Sequence, residues 1–401
     1  MTPVGVVVVG ASIAGMRTAE CLRQGGYPGS LVVLSAEDRL PYDRPPLSKQ
    51  LLAGTWGPEQ VRLPVADRIA GLRLDVRYGS RAVGLDVGSR LVHLADGAPV
   101  AYEHLVIATG AQPRTVPWGA DVPGVHVLRS LDDALGLAQE LRARQRVVVV
   151  GAGFIGAEVA SAARGHGCAV TVVEAAGAPL QRALGREVGT AIGRLHAEHG
   201  TTLLTGTTVT GIRTGADGRV AQLELSTGSV LPADVVVIGI GARPATDWLA
   251  GSGLTVHDGV VCDTCCRAAP GVFAAGDVAR WVHPVLGPVR LEHWTNAREQ
   301  AAAVAANILD PRQPAPYAPT PYVWSDQYGH KLQVIGQPED QTPAHVIEGE
   351  LGRPGFVAAY MRDGRMVGAV GLDAGAKVVK LRRLVAARAP LAEVLAATGG
   401  R

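Results

Sequence analysis

Val147-Val-Val-Val-Gly151-Ala-Gly153-Phe-Ile-Gly156 is a β-branched run that stops at a glycine-rich turn, and the residues that follow to about 164 have helical spacing. A second apolar run at 170–173 ends in Glu174. Strand, G-x-G-x-x-G turn, helix and strand in that order describe a βαβ unit, and both apolar runs suit buried parallel strands. Glycines let the backbone approach a pyrophosphate, while the N-terminus of the following helix supplies N–H donors and positive potential. Gly151, Gly153 and Gly156 therefore predict a dinucleotide site. Glu174, 23 residues beyond Gly151, offers a carboxylate to ribose hydroxyls. Ala175, Ala176 and Gly177 follow it with no adjacent arginine for a 2′-phosphate, which favours NADH over NADPH. Glu158 falls in the first helical turn, within reach of a bound nicotinamide; an exposed glutamate favoured by the helix dipole has the same sequence signature.

The unit has a copy upstream. The Val run at 6–9 leads into Gly10-Ala-Ser12-Ile-Ala14-Gly15, a helical pattern at 16–23, an apolar run at 31–34 and then Glu37. Here Ser12 stands where the middle glycine would be, a small side chain in a tight turn. A second repeat reinforces the first. Leu105-Val-Ile-Ala-Thr-Gly-Ala-Gln-Pro-Arg114 and Val235-Val-Val-Ile-Gly-Ile-Gly-Ala-Arg-Pro244 are each an apolar strand broken by glycine and then proline. Between turn and closing strand, 84–97 and 210–228 read as antiparallel hairpins. From about 319, past a proline-rich link at 311–321, alternating strand-like runs indicate a different fold. The expected class is α/β, with two Rossmann-like dinucleotide-binding domains and a C-terminal α+β domain. The boundaries are 1–112 with 244–318 for the first, 113–243 for the second and 319–401 for the third.

Composition removes other classes. Of 401 residues, 47% are hydrophobic and 18% charged, so the chain is neither disordered nor fibrous. With only 3 Phe, 6 Trp and 8 Tyr, the cores are expected to be aliphatic. A net charge of +2 gives no bulk electrostatic case for nucleic acid. No apolar stretch reaches the roughly 18 residues of a membrane span, and no basic segment opens the chain, so a cytoplasmic protein without a membrane partner is expected. Cys21, Cys168, Cys262, Cys265 and Cys266 read as free thiols of a reducing compartment, with no metal held by cysteine.

Three further segments carry chemistry. In Pro41-Tyr-Asp-Arg44-Pro-Pro-Leu-Ser-Lys49, three prolines impose a rigid loop that starts a helix near Ser48 and presents one cation. A lysine beside a flavin ring stabilises negative charge without transferring a proton, although such a lysine in isolation is ordinarily solvated. Val272-Phe-Ala-Ala-Gly-Asp277 is a strand ending in a carboxylate suited to polyol hydroxyls, or equally an Asx turn. Arg290-Leu-Glu-His-Trp294-Thr-Asn-Ala-Arg-Glu-Gln300 opens an Ala-rich helix with Thr295 or Asn296 expected near its N-cap. Tyr317, Tyr322, Trp324 and Tyr328 form an aromatic group that reads as core or as a ring beside a planar cofactor.

The ordered set of two nucleotide turns, P-Y-D-R-P-P-L-S-K, A-T-G-A-Q-P-R, V-F-A-A-G-D-V, E-H-W-T-N-A-R-E-Q and W-S-D-Q-Y resembles, over nearly the whole chain, the FAD-containing, NADH-dependent ferredoxin reductases that serve cytochrome P450 and Rieske oxygenase systems. That resemblance implies a glutathione-reductase-type fold and two cofactors, FAD and NADH. It implies that Gly10, Ser12, Ala14, Gly15, Glu37, Arg44, Lys49, Ala82, Arg129, Asp277 and Trp294 contact FAD. It assigns Gly151, Gly153, Ile155, Gly156, Glu158, Glu174, Arg182 and Gly241 to NAD. Lys49, Glu158 and Trp324 are implied at the reaction centre, with Lys49 paired to Glu158 and Trp324 on the side where an iron–sulfur partner docks. The implied partner is a ferredoxin, acidic if Lys377, Lys380, Arg382 and Arg383 face it; a solvated helix face explains those cations as well. At Asp373-Ala-Gly-Ala376 the chain departs from many relatives, which bears on partner choice rather than cofactor use. An NADH-responsive flavoprotein like apoptosis-inducing factor and an NADH oxidase or disulfide reductase are the alternatives. The latter needs a redox thiol near the flavin, and 41–49 contains no cysteine.

Overall fold

The computed structural model describes residues 4–119, 121–142 and 145–398. They form two compact units, the first from Met1–Asp43, Val61–Gln112 and Ala242–Pro319, the second from Arg44–Gln60, Pro113–Gly241 and Thr320–Arg401.

In the first unit Val4–Val9 lies between Leu31–Leu34 and Val100–Ile107, all parallel, with Val7 opposite both Val32 and Leu105. Asp75–Arg77 and Val272–Ala274 extend the sheet in parallel on either side. Helices Ile13–Gln24 and Trp294–Leu309 pack together. Because helices cover such a sheet, its strands are apolar without alternation: Val6, Val7, Val8, Leu105, Val106 and Ile107 are fully buried. The expected hairpin is Ala82–Asp86 against Leu91–Leu94, which continues antiparallel onto Val100–Ile107.

The second unit repeats this plan. Arg146–Val150 pairs in parallel with Ala169–Val173 and with Val235–Ile238, and Thr202–Leu204 and Val125–His126 take the edges. Val209–Thr214, Val220–Leu225 and Val230–Pro232 form the antiparallel cap. The C-terminal segment builds a five-stranded antiparallel sheet in the order Tyr322–Gln327, His330–Gly336, Arg365–Leu372, Val357–Arg362, Ala344–Glu348, followed by short helices. It shares one apolar cluster with helix Gln181–Glu198: Leu184, Val188 and Ile192 pack with Val334, Phe356 and Tyr360. The Tyr360 hydroxyl donates to the Leu184 carbonyl at 2.7 Å.

The cores are not wholly aliphatic, contrary to expectation. Trp281, Tyr102, Tyr360 and Phe356 are the largest fully buried side chains, so aromatics do contribute to the cores. Trp281 satisfies its indole N–H on the Tyr317 carbonyl at 3.2 Å, which permits its burial.

Candidate active site

Both glycine turns are built alike. Gly10 and Gly151 have φ of +114° and +102°, and a Cβ on either would stand 2.3 or 2.4 Å from the carbonyl oxygen of Ala108 or Gly239. A Cβ on Gly15 or Gly156 would stand 1.8 or 2.0 Å from the carbonyl oxygen of Gly10 or Gly151. The outer glycines are therefore obligatory for seating helix on strand. The middle position differs: Gly153 has φ −77° and ψ −174°, and a Cβ there meets nothing within 4 Å. Ser12 adopts φ −89° and ψ −166°, the same extended backbone, which accepts a side chain without strain.

Neither Ser12 nor Gly153 caps its helix with a side chain. In contrast, Leu131–Leu141 carries a complete capping box from Ser130 and Asp133. No capping side chain therefore competes for the first N–H groups of these two helices, the kind of donor a pyrophosphate requires. Gly276, φ +78°, lets the end of Val272–Ala274 pass the first of these turns, a Cβ there lying 2.9 Å from the Ala14 Cβ. Asp277 follows directly, and its carbonyl accepts from Arg290 Nη1 at 3.1 Å.

The two acids are not equivalent. Glu174 directly follows its strand; its Oε2 accepts from Ala152 N at 2.6 Å and its Oε1 from Ala176 N at 2.7 Å. A carboxylate has about four acceptor sites, so capacity remains for ribose hydroxyls. The residue at the corresponding place in the first unit is Ser35, whose N donates to Arg77 as Glu174 N donates to Leu204. Glu37 lies two positions further on, where Tyr42 Oη donates to its Oε2 at 2.5 Å. The expectation of no arginine beside the Glu174 loop needs correction, because the Arg186 guanidinium lies against Gly177. Arg182 lies in the first turn of the same helix, Ile155 is 45% exposed at the start of its own, and Gly241 has φ +95°.

Within the second unit the two most specific motifs meet on one carboxylate. Leu47–Leu51 is a single π-helical turn, Leu51 N donating to the Pro46 carbonyl at 3.0 Å, and it presents Ser48 and Lys49 to helix Phe154–Gly165. Glu158 is 2% exposed. Its Oε2 pairs with Lys49 Nζ at 2.8 Å and accepts from Ser48 Oγ at 2.5 Å. Its Oε1 accepts from Ser325 Oγ at 2.6 Å, and Ser325 accepts from Gln327 Nε2 at 3.1 Å. Lys49 is therefore not a solvated cation, nor is Glu158 an exposed helix-end glutamate. Sequence reasoning missed Ser48 and Ser325, although each sits inside a quoted motif. Trp324, on the opposite face of its strand from Ser325, stacks beside Tyr322 with centroids 6.0 Å apart. Arg44 Nη1 donates to the Arg129 carbonyl at 2.5 Å in the same unit.

In the first unit, Trp294 Nε1 donates to Asp43 Oδ1 at 2.7 Å, and Arg298 lies 5.6 Å over the indole. The helix starts at Trp294 with His293 as N-cap and no side-chain capping bond. The expected cap at Thr295 or Asn296 is thus wrong; Asn296 is instead buried, donating to the Leu291 carbonyl at 3.3 Å. Ala82 begins the hairpin opposite Leu94.

Cys262-Asp-Thr-Cys265 has C-x-x-C spacing. All five thiols are free, and Cys262, Cys265 and Cys266 are buried. Burial pushes the Cys262 thiol well up and the Cys266 thiol to about 12, which suppresses thiolate chemistry. Among the described residues no group of His, Cys, Asp and Glu can hold a metal, and no helix is long and apolar enough to cross a membrane.

Two uncapped glycine turns on parallel sheets and a buried lysine–glutamate pair define a dinucleotide-dependent oxidoreductase. Residues 4–301 match the pyridine nucleotide-disulphide oxidoreductase family and residues 322–398 the reductase C-terminal family. The chain belongs to the pyridine nucleotide-disulphide oxidoreductases, and FAD and NAD(H) are its cofactors. It is 40% identical to the ferredoxin--NAD(+) reductase component of an anthranilate 1,2-dioxygenase system from Burkholderia cepacia, over 96% of this chain and 94% of that one. A ferredoxin reductase for the CYP199A2 system from Rhodopseudomonas palustris superposes with TM-score 0.92 at 33% identity, covering 96% and 95% of the two chains. Putidaredoxin reductase, solved in covalent complex with putidaredoxin, gives TM-score 0.92 at 32% identity, covering 96% and 94%.

Proposed function

We propose that this protein is a FAD-containing, NADH-dependent ferredoxin reductase, passing electrons to an iron–sulfur ferredoxin that feeds a cytochrome P450 or Rieske oxygenase. The observation that carries the reading is Glu158, a buried carboxylate on the helix of the complete glycine turn, held by Lys49, Ser48 and Ser325. Its relatives' names and the absence of a cysteine at 41–49 support a ferredoxin rather than a disulfide as acceptor.

Bound FAD supplies the conversion of a two-electron hydride donor into single electrons. In the first unit, Gly10, Ser12, Ala14 and Gly15 offer backbone donors to its pyrophosphate, Glu37 a carboxylate to its ribose, and Ala82, Asp277 and Trp294 further contacts. In the second, Lys49, with Arg44 and Arg129, serves the flavin. Gly151, Gly153, Ile155, Gly156, Glu158, Glu174, Arg182 and Gly241 serve NADH. Glu158 holds the Lys49 ammonium in one place, so the charge acts on the reacting ring without reorganising. No side chain acts as a covalent nucleophile.

The partner is proposed to be an acidic ferredoxin met through Trp324 and the C-terminal cations. Lys377 pairs with Glu348, and Lys380, Arg382 and Arg383 follow it on the same C-terminal segment. Five free cysteines suit a reducing cytoplasm. Purified yellow protein, NADH, a panel of ferredoxins and a terminal cytochrome test the whole scheme. At least one ferredoxin is expected to accelerate cytochrome reduction well beyond the oxygen-linked background, and a panel with no acceleration sinks the assignment.

A further inference from the structure

We infer that Arg186 lets the second dinucleotide site accept NADPH as well as NADH, by placing a cation where the 2′-phosphate must go. The inference rests on the reading of Gly151, Gly153 and Gly156 as a dinucleotide turn, and it deepens that reading.

The geometry starts from Glu174. That carboxylate marks the ribose end of the site, and the loop 175–177 runs on from it. The Arg186 guanidinium lies against Gly177: a Cβ built there would be 2.2 Å from Nη2 and 3.0 Å from both Cζ and Nε. Gly177 is not among the residues with positive φ, so its missing side chain serves space rather than backbone conformation. Any other residue at 177 would displace the arginine.

Two further features bear on the reach of that cation. Gly185, with φ 76° and ψ 165°, interrupts helix Gln181–Glu198, so Arg186 opens its continuous part. The Arg186 side chain itself is exposed, free to meet a ligand from solvent.

The charges decide the outcome. Glu174 alone would repel a phosphate, but two backbone N–H groups already bond it, from Ala152 and Ala176. An arginine fork matches phosphate oxygens in bidentate geometry, which a lone ribose hydroxyl cannot exploit. A carboxylate for the hydroxyl and an arginine for the phosphate on one loop make a site of mixed preference.

The test compares 2′,5′-ADP with 5′-AMP, titrated calorimetrically into the FAD-loaded protein, in wild type, Arg186→Ala and Arg186→Lys. Wild type is expected to bind both nucleotides, and Arg186→Ala to lose about tenfold or more in 2′,5′-ADP affinity with 5′-AMP changed by less than about twofold. Arg186→Lys should keep part of the difference, since it retains the charge and loses the fork. NADPH should bleach the wild-type flavin and lose that ability selectively in Arg186→Ala. A wild type that binds 5′-AMP and excludes 2′,5′-ADP overturns the inference, as does an equal loss of both nucleotides in Arg186→Ala. Failure of 5′-AMP and NADH themselves to bind sinks the dinucleotide reading first, which separates the two failures.

Discussion

Glu158 gathers its partners from two places far apart in the chain, Ser48-Lys49 and Ser325, and that shapes what its removal does. A buried carboxylate stripped of its cation is left uncompensated, typically a loss of about 3–5 kcal/mol. Lys49→Ala is therefore expected both to lower the melting temperature and to slow flavin bleaching by NADH in stopped-flow. Ser325→Ala removes one hydrogen bond to a charged group, roughly 1.5–3 kcal/mol, and should slow bleaching by about tenfold while leaving the ion pair. Wild-type rates in both variants would return the cluster to plain structural support. The types and spacing of Lys49 and Glu158 were visible in the sequence. Their pairing was not, because local pattern carries no information about a contact across 109 positions; it entered through resemblance. Ser48 and Ser325 escaped because a serine inside a motif looks like spacing between its conspicuous neighbours.

At the scale of elements, the glycine turns were the most legible feature, since their requirement is local: φ above zero and no room for a Cβ. The same logic separates positions within a turn. Gly156→Ala drives a methyl to 2.0 Å from the Gly151 carbonyl oxygen and should abolish NADH binding, whereas Gly153→Ser, pointing into open space on the backbone that Ser12 also adopts, should bind within a few-fold of wild type by titration. Equal damage from both would contradict the geometry. Helix starts were less legible. Trp294 opens its helix without a capping side chain, and Leu47–Leu51 is a π turn, both decided by surrounding structure rather than by propensity. The contact between helix Gln181–Glu198 and the turn at Tyr328 lay beyond sequence altogether. There buried His196 Nδ1 meets Tyr328 Oη at 2.8 Å, and Thr201 Oγ1 meets the same hydroxyl at 3.1 Å. Burial, reinforced by nearby His199, lowers the His196 pKa from 6.5 to about 4. Below pH 6.5 the unfolded chain takes up a proton that the folded one refuses, so this contribution to stability is full above pH 6.5 and declines as pH falls to about 4. The loss amounts to roughly 3 kcal/mol. His196→Gln, which keeps a hydrogen-bonding side chain without a titration, should flatten that part of the pH dependence of the melting temperature; an unchanged slope would assign acid sensitivity elsewhere.

Across the whole molecule, the repeated βαβ plan was readable because parallel buried strands leave continuous apolar runs and their turns leave glycines. The scarcity of aromatics misled as to the cores, where Trp281, Tyr102, Tyr360 and Phe356 are buried, and it drew attention to the group at 317–328. Tyr317 is indeed core, packed against Trp281. Trp324 differs, since its strand alternates: Ser325 and Gln327 are buried on one face while Trp324 remains part-exposed on the other beside Tyr322. An indole part-exposed on the strand face opposite Ser325, the serine that bonds Glu158, suits the path or surface through which single electrons leave. Trp324→Ala should therefore leave NADH-driven bleaching within about twofold. It should lower ferredoxin-dependent cytochrome reduction by about tenfold, the size of a modest hot-spot loss. Reduction of a small artificial acceptor such as ferricyanide, which needs no docking surface, should stay near wild type. If ferricyanide and ferredoxin turnover fall together, Trp324 is packing for the flavin region rather than a part of the exit toward the partner.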